Sequence, residues 1–363
     1  MSYLDYQATA PLAPEALAAM LPWLERQHAN PHSPHREGRA ARAAVEVARG
    51  QVARLLPAGG RVAFTSGATE ALNWAIQGTQ GPIVTLATEH AAVLDTAAAE
   101  ARKGRAVTVL PVGSDGRVDL EEAARAIAPG TGLVAAMLVN NEIGVIQPIA
   151  ELAVLARAAG ARFLCDAVQG YGRVPIPDGC DLVAVSAHKI HGPKGVGALW
   201  VRDGVPLAPL LHGGGQEAPG RSGTLSPALC AGFGAAAGLA VARHDNDTAH
   251  VARLARAALA ALGPDWWVNG STEHRYRGNL NLRRAGLDVA RLMSDLRDIA
   301  FSAGSACASG SGRPSHVLSA IGLSDAEARS SIRIGFGRTT TEEELLNAIT
   351  RIDAAARAQK VAA

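Results

Sequence analysis

The sequence has no long apolar run. Its uncharged stretch 228–242 is mostly Ala and Gly, too short and too weakly apolar to span a bilayer. It carries little net charge, +2 over 363 residues. That excludes a chain working through broad attraction to nucleic acid or to a membrane surface, and no direct nucleic-acid partner is expected. Cysteine is scarce. Cys165, Cys180, Cys230 and Cys307 form no C-x-x-C pair, which excludes a disulfide framework and fits a reducing compartment. The opening Met1-Ser-Tyr-Leu-Asp-Tyr lacks a basic segment leading into an apolar one. The expectation is therefore no signal peptide and a cytoplasmic protein. What is present is 48% hydrophobic and 19% charged residues, the balance of a globular chain with one large domain or two ordinary ones.

An alternation of strand-like and helix-like segments runs through the first two thirds. Strands are predicted over 61–65, 83–87, 107–111, 133–139, 162–165, 182–185 and 196–201. Helices are predicted over 14–27, 39–56, 68–77, 90–103, 120–128 and 149–159. This rhythm predicts an α/β fold with a mostly parallel seven-stranded sheet flanked by helices. Beyond the Gly-rich loop 211–215, two long helices, 226–244 and 247–262, are expected to meet at Asp245-Asn-Asp247. The expected division is a large domain, 13–246, and a smaller α/β domain formed by 1–12 with 247–363.

Chemistry concentrates where strands end. Ser186-Ala-His-Lys189 follows a Val-rich buried strand and precedes a Gly/Pro turn. A lysine there suits amine chemistry, because a dry pocket favours the neutral amine that condenses with an aldehyde. Ser186 and His188 supply donors for a phosphate. Pyridoxal phosphate carries both groups. Alone, the stretch reads equally well as a surface lysine in a turn. Thr65-Ser-Gly-Ala-Thr-Glu70 opens a helix whose first N–H groups, on Ala68 and Thr69, suit an anion; an ordinary helix cap is the alternative. His90 can lie on a cofactor ring or move protons, or simply start a helix. Asp166 can hold a pyridine nitrogen protonated, and Gln169 can donate to the ring's phenolic oxygen. Asn141 could bond that oxygen or a substrate carboxylate, although Asn and Gly also favour turns. All these positions fall at the carboxyl ends of strands, where open α/β sheets bind ligands.

Two further signals stand apart. Cys307 lies in a tract of Gly, Ser and Ala, residues 302–312, as a nucleophile that must swing between two places would. Arg333 sits in an apolar strand, where its planar fork suits a carboxylate or a structural ion pair. The glycines of 232–238 mimic a dinucleotide fingerprint but fall within a helix. The pairs His32/His35 and His188/His191 lack companion metal ligands.

Taken together, the motifs resemble the cysteine desulfurases of the NifS/IscS kind, in the class V branch of fold-type I pyridoxal-phosphate enzymes. The matches run in one order from Tyr3-Leu-Asp through Thr65–Glu70, Glu89-His90, Asn140–Gly144, Asp166–Gln169, Ser186–Lys189 and Arg221–Thr224 to Gly304–Cys307 and Ser331–Arg333. The resemblance implies that Lys189 holds the cofactor aldehyde as a Schiff base. It implies that His90 stacks on the ring, that Asp166 and Gln169 tune it, and that Ala68, Thr69, Ser186 and His188 hold the phosphate. Thr224 would reach the cofactor of a neighbouring subunit, which implies an obligatory homodimer. Asn141 and Arg333 would bind L-cysteine, and Cys307 would take its sulfur as a persulfide, leaving L-alanine. Sulfur acceptors implied are an iron–sulfur scaffold protein, with transient cluster contact at Cys307, or tRNA thiolation. A selenocysteine lyase, a class V aminotransferase and a catalytically silent partner are the alternatives. The tract around Cys307 resembles the long-loop subgroup. Departures are Tyr6-Gln7, where Asn or Ser is more usual, His191 in place of Tyr or Phe, and the Asn30 loop with His32 and Pro34.

Overall fold

The computed structural model describes residues 1–218, 220–304 and 314–359. The chain opens with a short strand, β1 (Ser2–Tyr3), and two helices, α1 (Pro14–Glu25) and α2 (Arg36–Ala53). Alternating elements follow: β2 (Gly60–Thr65), α3 (Ala68–Gln77), β3 (Ile83–Leu86), α4 (Ala91–Arg102), β4 (Val107–Leu110), α5 (Leu120–Ala126), β5 (Leu133–Met137), α6 (Ile149–Ala158), β6 (Arg162–Asp166), β7 (Leu182–Ser186) and β8 (Gly197–Arg202). The strands form one sheet in the order β2-β8-β7-β6-β5-β3-β4. All pairs are parallel except those of β8, which runs against both β7 and β2. The expected seven-stranded α/β sheet is therefore present. Strands β5 and β7 are buried at every position, because helices cover both faces and a continuous apolar run is what such strands need. The edge strand β4 exposes Thr108 and Val109.

One expectation about the helices was wrong. The two helices meant to meet at Asp245–Asp247 are a single 35-residue helix, α7 (Pro227–Ala261). Asp and Asn are weak helix formers, costing at most about 0.7 kcal/mol each relative to Ala, and neither breaks a helix as Pro does. Tertiary partners outweigh that cost. Arg338 pairs with Asp247 at 2.7 Å, and His250 Nε2 lies 2.9 Å from the Thr340 carbonyl oxygen. Apolar residues from Ala228 to Ala240 lie on this helix's first half, and Cys230, Phe233, Ala236 and Ala237 join the sheet's core. Val251, Leu254, Ala255 and Ala258, on its second half, join another core. Helix α2 also starts earlier than expected, at Arg36, because the His35 imidazole accepts from the Gly38 N–H and caps it.

The second core is built from short strands and helices. They are β9 (Trp267–Val268), β10 (Asn279–Arg283), α8 (Val289–Asp295), β11 (Ile299–Ala300), β12 (Ser302–Ala303), α9 (His316–Ala320), α10 (Asp325–Arg329), β13 (Ser331–Gly335) and α11 (Glu342–Ala358). Strands β12, β13, β10 and β9 form an antiparallel sheet. The N-terminus belongs with this core: β1 pairs with β11, and Leu4, fully buried, packs within it. The segment after β1 crosses β13 so closely that a Cβ on Gly335 would lie 1.6 Å from Gln7 Oε1. This crossing brings residues 5–9 to the edge of the large sheet.

Candidate active site

The carboxyl ends of β2, β3, β5, β6 and β7 open onto one cavity of about 450 Å³. That size lies within the roughly 300–1,000 Å³ usual for small-molecule sites. Of the expected site residues, Ala68, Thr69, His90, Asn141, Asp166, Gln169, Ser186, His188, Lys189 and Arg333 all line it. Thr224 is exposed and lies outside the lining. Cys307 lies outside the described residues; the strand before it, β12, pairs with the Arg333 strand β13.

One end of the cavity is a set of donors. Helix α3 begins at Gly67 with no side-chain cap, so its first N–H groups remain available to a ligand. Gly197 makes this turn possible, since a Cβ there would lie 2.7 Å from Gly67 Cα and 2.6 Å from the Val185 carbonyl oxygen. Glu70 accepts from the Ser66 N–H at 2.7 Å and is in turn held by Arg221 at 2.8 Å. His188 Nδ1 is 2.9 Å from Thr9 Oγ1. Burial, then Lys189 and Lys194, push the His188 imidazole down to about 4, so it is neutral at physiological pH. Donors, a helix N-terminus and the neighbouring Lys194 make this end fit a phosphate dianion.

The opposite end carries a carboxyl. Asp166 closes β6 and is 5% exposed. Burial raises its pKa, while the Val168 N–H it accepts at 3.0 Å, His90 and Lys189 oppose that rise. Beneath Asp166 lies a second carboxyl, Glu89, which is fully buried. Glu89 Oε1 accepts from the Met137 N–H at 2.8 Å, and Oε2 has no hydrogen-bond partner among the described residues. Burial, with Asp166 adding to it, raises the Glu89 pKa well above its ordinary value, against the Met137 N–H that favours the charged form. His90 does cap α4 through Nδ1, which accepts from the Ala92 N–H at 3.1 Å. That contact leaves the proton of a neutral ring on Nε2.

Lys189 follows β7 in a single 3-10 turn. Its Nζ donates to the carbonyls of Gln7 at 2.5 Å and Ala8 at 2.9 Å. Gln169 Nε2 donates to the same Gln7 carbonyl at 2.9 Å, while its Oε1 accepts from Arg173 at 3.0 Å. Arg173 also donates to the Lys189 carbonyl. Two residues on, His191 has φ +68° and is the one described non-glycine residue with positive φ. The strain is held by the Ala13 N–H donating to the His191 carbonyl and by the Pro11 carbonyl at Nδ1. Arg333 enters from β13, 2% exposed. It is paired with Asp5 at 2.7 Å and donates to the Asn141 carbonyl at 3.1 Å.

Sequence reasoning missed Gln7, Ala8, Thr9 and Lys194 as parts of this wall. Lys194 carried a readable signal, a second cation five residues after Lys189 in the same turn. Ala8 and Gln7 act through backbone carbonyls, which no side-chain pattern reports.

Amine, carboxyl, imidazole and anion-binding turn together fit pyridoxal phosphate. Similarity to known proteins points the same way. A family model described as aminotransferase class-V matches residues 2–347. A protein named cysteine desulfurase IscS from Rickettsia bellii is 44% identical, aligned over 96% of this chain and 90% of the relative. The mitochondrial cysteine desulfurase of Saccharomyces cerevisiae is 47% identical, over 94% of this chain and 72% of the yeast protein. Among solved structures, a NifS-like protein superposes with a TM-score of 0.90 at 32% identity, covering 97% of this chain and 98% of that one. The chain therefore belongs to the class V aminotransferase family, among its cysteine desulfurases.

Proposed function

We propose that the protein binds pyridoxal 5′-phosphate at Lys189 and removes sulfur from L-cysteine, releasing L-alanine and leaving a persulfide on Cys307. The observation that carries this reading is the cavity. It sets a lysine amine between an uncapped helix N-terminus and a buried carboxyl at one sheet edge, in a chain similar to named cysteine desulfurases along nearly its whole length. When bound, the cofactor supplies an aldehyde that condenses with amines and a ring that accepts the electrons left as the α-proton departs.

The chain's own residues do the rest. The N–H groups of Ala68 and Thr69, with Ser186 and His188, bind the phosphate. For His188 to donate from Nε2, the Thr9 hydroxyl must donate to Nδ1, a contact the 2.9 Å separation supports. Asp166 keeps the proton on the pyridine nitrogen. Gln169 has a second amide hydrogen, beyond the one given to Gln7, for the phenolic oxygen. Lys189 Nζ would carry the substrate's α-proton, and Nε2 of His90 would move protons at the same centre. Asn141 and Arg333 orient the amino acid, Arg333 by its carboxylate. Thr224 serves the site of a second copy in a homodimer. The same reading divides the chain at residue 246, with residues 1–12 joining the C-terminal part; the core that gathers Leu4 with residues 251–356 supports it. An iron–sulfur scaffold protein is the proposed acceptor, with transient cluster contact at Cys307, and the protein is proposed to be cytoplasmic.

The test is to incubate the holoenzyme with L-cysteine and measure alanine together with persulfide on Cys307. Equal amounts of the two in a single turnover are expected. Replacing Cys307 with Ala should keep the bound cofactor's colour and abolish sulfur transfer. Sulfide release by that variant at the parent rate would overturn the assignment.

A further inference from the structure

Asp5 sits at the far end of the segment that crosses the Lys189 wall. Its position is set twice over. Strand β1 pairs with β11 immediately before it, and Asp5 itself bridges to Gly335 in parallel register. Its carboxylate meets a guanidinium that is almost completely buried. The five N–H donors of Arg333 are unevenly used. Nη2 donates to Asp5 Oδ1 at 2.7 Å and to Ser302 Oγ at 3.4 Å, and Nη1 donates to the Asn141 carbonyl at 3.1 Å. Nε is buried, has no acceptor among the described residues, and belongs to a side chain that lines the cavity. A buried donor without a partner is costly, and a ligand oxygen within reach of the guanidinium would relieve it.

We infer that Asp5 is a positioning residue for substrate recognition: it pins Nη2 of Arg333 and so fixes the cavity-lining guanidinium in the pose that receives the carboxylate of the amino-acid substrate. A guanidinium on a long side chain has several rotamers, and a single ionic anchor at one nitrogen selects among them. The anchor comes from the same stretch, residues 5–9, whose carbonyls hold the Lys189 amine, so substrate carboxylate and reacting amine are referenced to one piece of backbone. The inference rests on the reading of Arg333 as the carboxylate site. The opposite arrangement is a placeholder, in which Asp5 competes with the substrate for Arg333.

The test uses holoenzyme and two amines that differ only in the carboxylate: L-alanine and ethylamine. Binding of each is read from the cofactor's visible absorbance, and kcat and KM are measured separately for L-cysteine. In Asp5→Asn, the dissociation constant of alanine and the KM for cysteine should rise roughly tenfold, the scale of coupling within one ion-pair network. The kcat, the ethylamine constant and the cofactor content should stay near the parent values. Asp5→Glu, which keeps the charge, should recover part of the loss. Tighter or unchanged alanine binding in Asp5→Asn overturns the inference, and equal weakening of both amines reduces Asp5 to a structural role. Should Asp5→Asn not fold, the same comparison in Asp5→Glu decides, by selective or equal weakening. Arg333→Met separates the two readings. If it binds alanine as tightly as the parent does, the Arg333 assignment itself fails; if it loses alanine while Asp5→Asn does not, only the Asp5 inference fails.

Discussion

At the residue scale two neighbouring buried carboxyls, Asp166 in the cavity wall and Glu89 outside its lining, meet different surroundings. Asp166 has a backbone N–H and two nearby basic side chains to favour its charge, whereas Glu89 has one backbone N–H and an unpartnered oxygen. Burial with so little compensation favours the neutral form of Glu89. Glu89→Gln, isosteric and uncharged, should therefore leave cofactor absorbance and cysteine turnover close to the parent. Asp166→Asn should retain the cofactor and lose roughly a hundredfold or more in kcat, the scale of a removed electrostatic group at a reacting centre. Equal effects of the two changes on single-turnover alanine formation would refute this division. Lys, Asp and His at strand ends, and Arg333 within a strand, were legible from the sequence because their chemistry is local. The charge state of Glu89 was not, since it depends on what surrounds it in three dimensions.

At the scale of elements, the turn between β2 and α3 works only because the start of β8 passes beneath it. Gly197→Ala would place a methyl 2.6–2.8 Å from Val185 and Gly67 backbone atoms. The backbone cannot yield cheaply there. The variant should lose about 1–3 kcal/mol of stability, read by denaturant unfolding, and should weaken phosphate binding together with it. The turn after β7 makes a second prediction. His188 and His191 are both held down to about 4, chiefly by burial. Lys189 and Lys194 add to this at His188. Arg338 and Arg173 add to it at His191, against Asp247 and the Pro11 carbonyl. The unfolded chain takes up these protons near 6.5, before the folded one does. Stability of the apoprotein should thus be full above pH 6.5, fall as pH drops from there toward 4, and stop falling from this cause below 4. His191→Asn, whose side chain tolerates positive φ, should reduce that slope in a series of thermal melts. An unchanged slope would mean that His191 does not carry it.

At the scale of the whole molecule, Thr224 lies exposed and outside its own chain's cavity. In the proposed homodimer it completes the neighbour's phosphate site. Thr224→Val and Lys189→Ala chains should each be nearly inactive alone. Hybrids assembled from both contain one site with its own Lys189 and an intact partner threonine, so mixing them should restore desulfuration. No recovery, with hybrid dimers demonstrated by mass, would exclude a shared site. Placement of this kind follows symmetry between copies, which motif spacing within one chain does not express.

The sequence alone determined the strand–helix alternation, and with it the parallel sheet and the edge at which the chemistry gathers. Apolar periodicity and turn residues act over a few positions, and strands joined by crossover helices leave their carboxyl ends on one side. Only tertiary structure decided that α7 runs unbroken, that residues 5–9 lie across the lysine, and that Asp5 grips Arg333 from 328 positions away. Those outcomes depend on burial and contact between distant segments, where packing overrides weak local preference and backbone carbonyls of any residue type can serve.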